Sequence, residues 1–402
     1  MTHISRLIFR NFWITVALGG ALGEWILACW FLATPASWAA HAFGLTALFA
    51  LNRFAAGAYE RERHTGPVLH ALGGVTLAVA IVSSVGAAAL AFTAAGWFAM
   101  STLTAFPAQA DALDVPIGLR FGAPFDALAF LVVGVAMAVA TWGYTHGHRR
   151  LRVTHLDVTL PDLPQALDGL RIVHITDLHL GPTAHRGALR EAFDQVNALE
   201  PDLVCVTGDL VDSPTTDVDH WMPELSRLRA RHGVLAVLGN HDNYAGGDRV
   251  AAALRTHTQW RLLRDEVAAL DIDGARLNVI GLDDRRTPHT ADRLPDLLPA
   301  VPAGEARMLL VHQPMAFPAA ADLGVPLTLA GHTHGGQIAL PGVPVLNAAR
   351  LLMTRYDAGT FARGNSVLHV NRGLGTSGQR VRIGASREIT VVTLLAPVAL
   401  AA

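Results

Sequence analysis

Two short pairs, Asp177 with His179 and His332 with His334, stand beside three further polar groups: Gly208-Asp209, Gly239-Asn240-His241-Asp242 and His312. Carboxylate, amide and imidazole without thiolate make a donor set suited to Mn, Fe, Zn or Co. It suits an all-oxygen Mg cage or a Cys-rich structural zinc site less well. More than four candidate ligands implies two ions. Two divalent cations bring four positive charges against the two negative charges of Asp177 and Asp209. The surplus suits a bridging hydroxide and one phosphate ester. Metals about 3.5–4 Å apart lower the pKa of a shared water and clamp both attacking and phosphoryl oxygens, so the chemistry implied is phosphate-ester hydrolysis.

Ligands so far apart in sequence need a scaffold that gathers them. From Arg171 onward, short apolar runs bounded by Gly, Asp and Pro alternate with helical stretches, the pattern of an α/β fold. Strands are expected at 171–176, 203–207, 234–238, 277–280, 308–311 and 327–330, with further ones near Phe361, at 367–370 and at 388–395. Helices are expected at 186–199, 218–230, 248–257, 291–298 and 315–322. The polar groups follow five of these strands, and the carboxyl ends of strands in an open α/β sheet share one rim where ligands bind. Residues two apart in extended backbone point the same way, so Asp177/His179 and His332/His334 are each expected to act as a pair. Gly208, Gly239 and Gly331 remove side chains where backbone must approach an ion or phosphate.

The same residues carry a resemblance. D-L-H at 177–179, G-D at 208–209, G-N-H-D at 239–242, His312 in V-H-Q-P, and G-H-T-H-G-G-Q at 331–337 resemble the calcineurin-like metallophosphoesterases. With G-L-D-D at 281–284 they are similar to its membrane-anchored bacterial branch, over roughly the last 230 residues. The resemblance implies a four-layer α/β/β/α metallophosphoesterase sandwich with two divalent metal ions. Asp177, His179, Asp209 and His334 would hold one ion, with Asp209 bridging to the other, and Asn240, His312 and His332 would complete the second. His241 would contact the phosphate and protonate or stabilise the leaving oxygen, with Asp242 orienting it.

The remainder of the chain is a different material. Of 402 residues, 51% are hydrophobic and 16% charged, too apolar for a soluble enzyme of this size. Residues 1–150 read as an all-α membrane unit with four transmembrane helices near 12–32, 37–59, 68–92 and 125–145. Residues 151–170, with Pro161 and Pro164, read as a linker, and 171–402 as the catalytic domain. Arg6 and Arg10, then Arg53, Arg61 and Arg63, then Arg149, Arg150 and Arg152 fall on one side of four spans. The loop between the third and fourth spans carries Arg120 with Asp111 and Asp114. That distribution places the catalytic domain on the cytoplasmic side of an inner membrane. Glu24, the one ionisable residue well inside a span, has no partner legible in the sequence and reads as a packing or snorkelling case.

Net charge is −2, which gives no footprint for nucleic acid. The expected partners are a membrane and a phosphoester substrate, a phosphodiester or pyrophosphate, with a lipid-linked one among the options. Cys29 and Cys205 lie in different units and read as small buried hydrophobes. His174 and His185 fit no motif. Asp283 and Asp284 divide evenly between a turn cap and a place beside substrate, Arg285 and Arg286 read as a solvated loop, and Gly335 and Gln337 as loop geometry. The competing function is a membrane scaffold or sensor that uses the same fold without hydrolysis.

Overall fold

Proline-poor apolar sequence folds into long helices in the first of two units, Met1–Thr145. The computed structural model of the chain describes residues 12–32, 38–60, 67–104, 123–181, 184–214, 216–284, 290–340 and 343–397. The helices are α1 (Phe12–Leu32), α2 (Trp38–Glu60), α3 (Pro67–Thr104) and α4 (Ala123–Thr145). Three are long and apolar enough to cross a membrane, through the stretches Ile14–Phe31, Leu72–Met100 and Ala123–Arg149. Helix α2 has the length of a span but carries Asn52 and Arg53 in its second half. The third helix runs on to Thr104, so a segment expected to be loop from Thr93 is helical. Thr93 fits there because its hydroxyl donates back to the Ala89 carbonyl at 2.8 Å. Glu24 has a partner after all: fully buried Asn52 donates to its Oε2 at 3.0 Å. Arg6, Arg10, Arg61, Arg63, Asp111, Asp114 and Arg120, on which the sidedness rests, lie outside the described residues.

In the second unit, His146–Ala402, strands and helices alternate. The strands are β1 (Leu151–Thr159), β2 (Leu170–Ile175), β3 (Leu203–Thr207), β4 (Val234–Val237), β5 (Arg261–Leu262), β6 (Glu266–Ile272) and β7 (Ala275–Gly281). They continue as β8 (Ala306–Leu310), β9 (Leu327–Ala330), β10 (Ala339–Leu340), β11 (Val343–Asn347), β12 (Gly359–Arg363), β13 (Ser366–Val370) and β14 (Arg387–Leu395). One mixed sheet has the order β1-β14-β2-β3-β4-β5, a second β12-β13-β9-β8-β7-β6, and β10 pairs with β11 alone. Among the helices are α5 (Arg186–Ala198), α6 (Val218–Leu225), α7 (Asn240–Tyr244), α8 (Gly247–His257), α9 (Leu294–Leu297), α10 (Phe317–Asp322) and α11 (Ala348–Leu352).

The expected linker is corrected by β1, which pairs in parallel with β14 from Leu151↔Arg387 to Thr159↔Leu395. The pairing is fixed by side chains as well as backbone, since the Thr154 hydroxyl donates to Glu388 Oε1 at 2.9 Å. The turn that follows is anchored by buried Leu160, Leu163 and Leu167.

Strand alternation sorts side chains into separate cores. In β3, Val204 and Val206 join Phe193, Trp221 and Leu254 from the helices, whereas Leu203 and Cys205 join Val279, Met308 and Leu329 from the second sheet. A third cluster unites Leu309 and Val370 with Leu294 and Phe317. Each Val or Leu so buried contributes about 1.5–3 kcal/mol. Both cysteines are free and buried, as their surroundings in sequence suggested.

Two buried imidazoles make the scaffold acid-sensitive. His174 Nε2 lies 2.8 Å from the Thr207 hydroxyl and His369 Nε2 2.9 Å from the Thr390 hydroxyl. Desolvation pushes His369 down to about 4 and His174 down as well. Below the ordinary value of 6.5 the unfolded chain takes up a proton that the folded chain refuses until about 4, so stability falls as pH drops through that window. The slope is about 1.4 kcal/mol per pH unit for each imidazole. The thermal midpoint of His369→Gln should therefore fall less steeply than the wild type's between pH 6.5 and 4; equal slopes would exclude this imidazole as the cause.

Candidate metal centre

Both sheets, rather than one rim, deliver the polar residues. Asp177 and His179 follow β2, Asp209 follows β3, and Asn240 opens α7 just after β4. From the second sheet, His312 follows β8, while His332 and His334 follow β9. The backbone there is not extended: φ is +52° at Asp177, +44° at His179, +51° at Asp209, +75° at His332 and +53° at His334. Left-handed backbone at five non-glycine residues is costly and persists where surrounding structure holds it in place, as active sites do. Glycine is required at the closest approaches. A Cβ on Gly208 would lie 2.6 Å from the Gly239 nitrogen and 2.9 Å from His312 Nδ1, and one on Gly239 would strike the Asp209 carboxylate.

The side chains form two groups. In the first, His334 Nε2 is 3.4 Å from Asp177 Oδ1 and 3.0 Å from His179 Nε2, which is itself 3.8 Å from Asp177 Oδ1. In the second, His312 Nε2 is 3.1 Å from Asp209 Oδ2 and 3.2 Å from His332 Nδ1. Thus His332 and His334, expected to act as a pair, serve different groups, the backbone at both being left-handed rather than extended. Asp209 Oδ2 also lies 3.6 Å from His179 Nε2 and so touches both groups. Each group brings its ligand atoms close enough to hold a metal ion.

Outer contacts orient these rings. His312 Nδ1 lies 2.7 Å from the Thr207 carbonyl and donates to it, which turns Nε2 toward Asp209 and makes Nε2 the nitrogen that would ligate an ion on losing its proton. His179 Nδ1 is likewise 3.0 Å from Asp212 Oδ1. The Asp177 oxygens accept the His332 backbone N–H at 3.2 and 3.0 Å.

Burial opposes ionisation of Asp177 and Asp209, yet the imidazoles around them outweigh it and hold both carboxyls below the usual range. Burial also works against charge on His179 and His312, but adjacent carboxylates lift both to about 10. Desolvation instead takes His332 down to about 4, with His334 lowered too. Four imidazoles converge on two ionised carboxylates, and Asn240 presents a buried Oδ1 with no hydrogen-bond donor. An acceptor without a donor in such a place fits a cation.

The six predicted Asp and His ligands gather here with His241, and Asn240 adjoins His241 in sequence at the start of α7, but the role expected of Asp242 does not survive. Its Oδ1 accepts from the Val211 N–H at 3.0 Å and its Oδ2 from the Gly239 N–H at 2.9 Å, so it braces backbone. The contact to the His241 ring comes from the Asp212 carbonyl, 2.5 Å from Nδ1. Desolvation, then the charge of Asp209, lift Asp242 to about 7. Asp212 itself was missed, although V-D three residues past G-D places it on the same loop. Arg382 was missed too: buried and without a motif, it donates to the carbonyls of Arg372 and Gly375 and lies 3.3 Å from His334 Nδ1.

The undecided acids are both held by side-chain donors. Asp283 accepts from Arg264 and Asn243, and Asp284 from Thr290 and Gln313. His185 caps α5, His174 is packed, and Gln337 exchanges two hydrogen bonds with Ser377. Arg285 and Arg286 lie outside the described residues.

The family model described as calcineurin-like phosphoesterase matches residues 170–336, the stretch that carries every one of these ligands. Similarity extends further in a Bacillus subtilis protein, the uncharacterized metallophosphoesterase YkuE, 33% identical over 275 residues that make up 65% of this chain and 93% of that one. The chain belongs to the calcineurin-like metallophosphoesterases. The uncharacterized metallophosphoesterase Cj0846 of Campylobacter jejuni is 30% identical over 66% of this chain and 69% of its own. A Bos taurus transmembrane protein with metallophosphoesterase domain is 32% identical over 66% of this chain and 62% of its own. Membership makes this chain a metal-dependent phosphoesterase acting on a phosphoester. The apolar helices associate it with a membrane, as the bovine relative's name says of that protein.

Proposed function

We propose that this metallophosphoesterase hydrolyses a phosphodiester or pyrophosphate bond at the cytoplasmic face of an inner membrane, using two divalent cations drawn from Mn, Fe, Zn and Co. The observation that carries the reading is Asp209, whose one carboxylate oxygen lies 3.1 Å from His312 and 3.6 Å from His179. Asp177, His179 and His334 would hold one ion, Asn240, His312 and His332 the other, with Asp209 within reach of both groups. When bound, the ions supply Lewis acidity toward a phosphoryl oxygen and acidify a water. The chain's own part is to fix that geometry and to move one proton. Half-buried His241, with Nδ1 held by the Asp212 carbonyl, offers Nε2 to the leaving oxygen. The scaffold is read as a four-layer α/β/β/α sandwich behind a four-span unit over residues 1–150, α2 included.

Chelation followed by metal titration of the detergent-solubilised full chain tests this. Turnover of a generic phosphodiester should vanish and return with about two metal equivalents per chain. Return with one equivalent would overturn the two-ion reading, and binding of two without turnover would leave the sensor function standing.

A further inference from the structure

Apolar side chains crowd the surface immediately after the turn that carries His334. Among the described residues, the second unit exposes ten large hydrophobic side chains, and seven of them fall between Ile338 and Leu352; Tyr244, Met315 and Leu323 are the other three. Leu351 is 71% exposed, Leu352 66%, and Leu340 and Val345 52% each. They are carried by β10, β11 and α11, a two-stranded ribbon and short helix that join neither large sheet. Surface apolar groups are ordinarily scattered, and a contiguous cluster marks a surface meant to be covered.

This element is coupled to the metal centre. The Ala348 N–H donates to the Ile338 carbonyl at 3.1 Å, and the Gln337 N–H to the His334 carbonyl at 3.2 Å. Asn347 caps α11 through the Arg350 N–H at 2.9 Å and donates to Asp357 Oδ2 at 2.5 Å, and the Thr333 hydroxyl donates to the Asp357 carbonyl. The exposed leucines are therefore built on the same bonded turn as the ligand histidines.

Two observations select the covering partner. The chain carries three helices apolar enough to cross a membrane, so a bilayer is always at hand for the second unit. From Ile338 to Asp357 the charged residues are Arg350, Arg355 and Asp357; Arg350 is paired with Asp357 at 3.0 Å, and exposed Arg355 leaves the element one net positive charge, the sign that anionic headgroups attract. We propose that the 338–352 element seats its leucines and valines in the interfacial layer of the bilayer and holds the metal centre against phosphoesters that remain in the membrane. The substrate class is then an amphiphile with a phosphate headgroup. This rests on the phosphoester hydrolysis proposed above.

The test uses the full chain in vesicles of phosphatidylcholine and phosphatidylglycerol. Cys29 and Cys205 are buried, so a Leu351→Cys variant takes an environment-sensitive fluorophore selectively at one exposed position. Blue-shifted emission quenched by brominated lipid supports insertion. Solvent-like emission overturns it, as does shielding that ignores brominated lipid and grows with protein density, the mark of a second copy. In a second arm, Leu351→Ser with Leu352→Ser should leave turnover of a soluble diester unchanged and lower turnover of a vesicle-borne phospholipid substrate about tenfold. An equal effect on both substrates, or on neither, overturns the substrate class. Loss of all diester turnover in the wild type would instead defeat the hydrolase reading, while the fluorescence arm still reports on insertion.

Discussion

Asp209→Ala should abolish both metal binding and turnover, with metal content falling from about two to below one per chain and kcat/KM falling about 10³-fold or more, roughly 4 kcal/mol of transition-state stabilisation. The size of the effect follows from position. One carboxylate oxygen faces His312 at 3.1 Å and His179 at 3.6 Å, while the other accepts the His241 N–H at 2.9 Å. Removing it leaves imidazoles of both groups without their counter-charge and frees the His241 backbone. Alanine also inherits a φ of +51°, where a side chain is strained. Asp209→Asn separates these effects, because it keeps size and the acceptor to His241 while removing the charge. Metal analysis and circular dichroism on both variants decide the matter: a folded Asp209→Asn with two metals and full activity would contradict the assigned role.

Much of this centre was legible because its ligands occur in compact signatures directly after apolar runs, and such runs form strands wherever both faces are buried. Strands β3, β4, β8 and β9 therefore fell within a residue or two of their expected ends. What escaped depends on contacts between distant segments. Strand β1 finds its partner 236 residues away, so nothing near Leu151 announces it. Pro341, Gly342 and Pro344 punctuate the β10–β11 stretch, so no strand was expected there. Asp177 and His179 were expected to converge through extended backbone, but they converge through left-handed residues, a conformation the sequence does not advertise.

The same limit explains the exchange of roles between Asp242 and Asp212. Adjacency in G-N-H-D suggested that Asp242 orients His241, yet α7 begins at Asn240 and turns the Asp242 carboxylate back onto the Val211 and Gly239 N–H groups. The loop after β3 instead carries Asp212 around, so that its carboxylate meets His179 and its carbonyl meets His241. One residue thereby ties a ligand of the first group to the group proposed to move the proton. That arrangement can be recognised only once the loop's path is known.

His241→Ala gives the second large effect and separates chemistry from metal binding. The backbone N–H that holds Asp209 at 2.9 Å is common to every residue but proline, so alanine preserves the bridging ligand while deleting the ring. If the ring's task is to protonate the leaving oxygen, kcat should fall about 10²–10⁴-fold with metal content unchanged. The loss should shrink for esters whose leaving group is already a weak base, such as a nitrophenolate, since these need no proton. The geometry contains a rival: His179, Asp212 and His241 themselves lie close enough together to hold an ion. Metal analysis decides between them, because an ion ligated by His241 would be lost with the ring, and the deficit would then be the same for good and poor leaving groups.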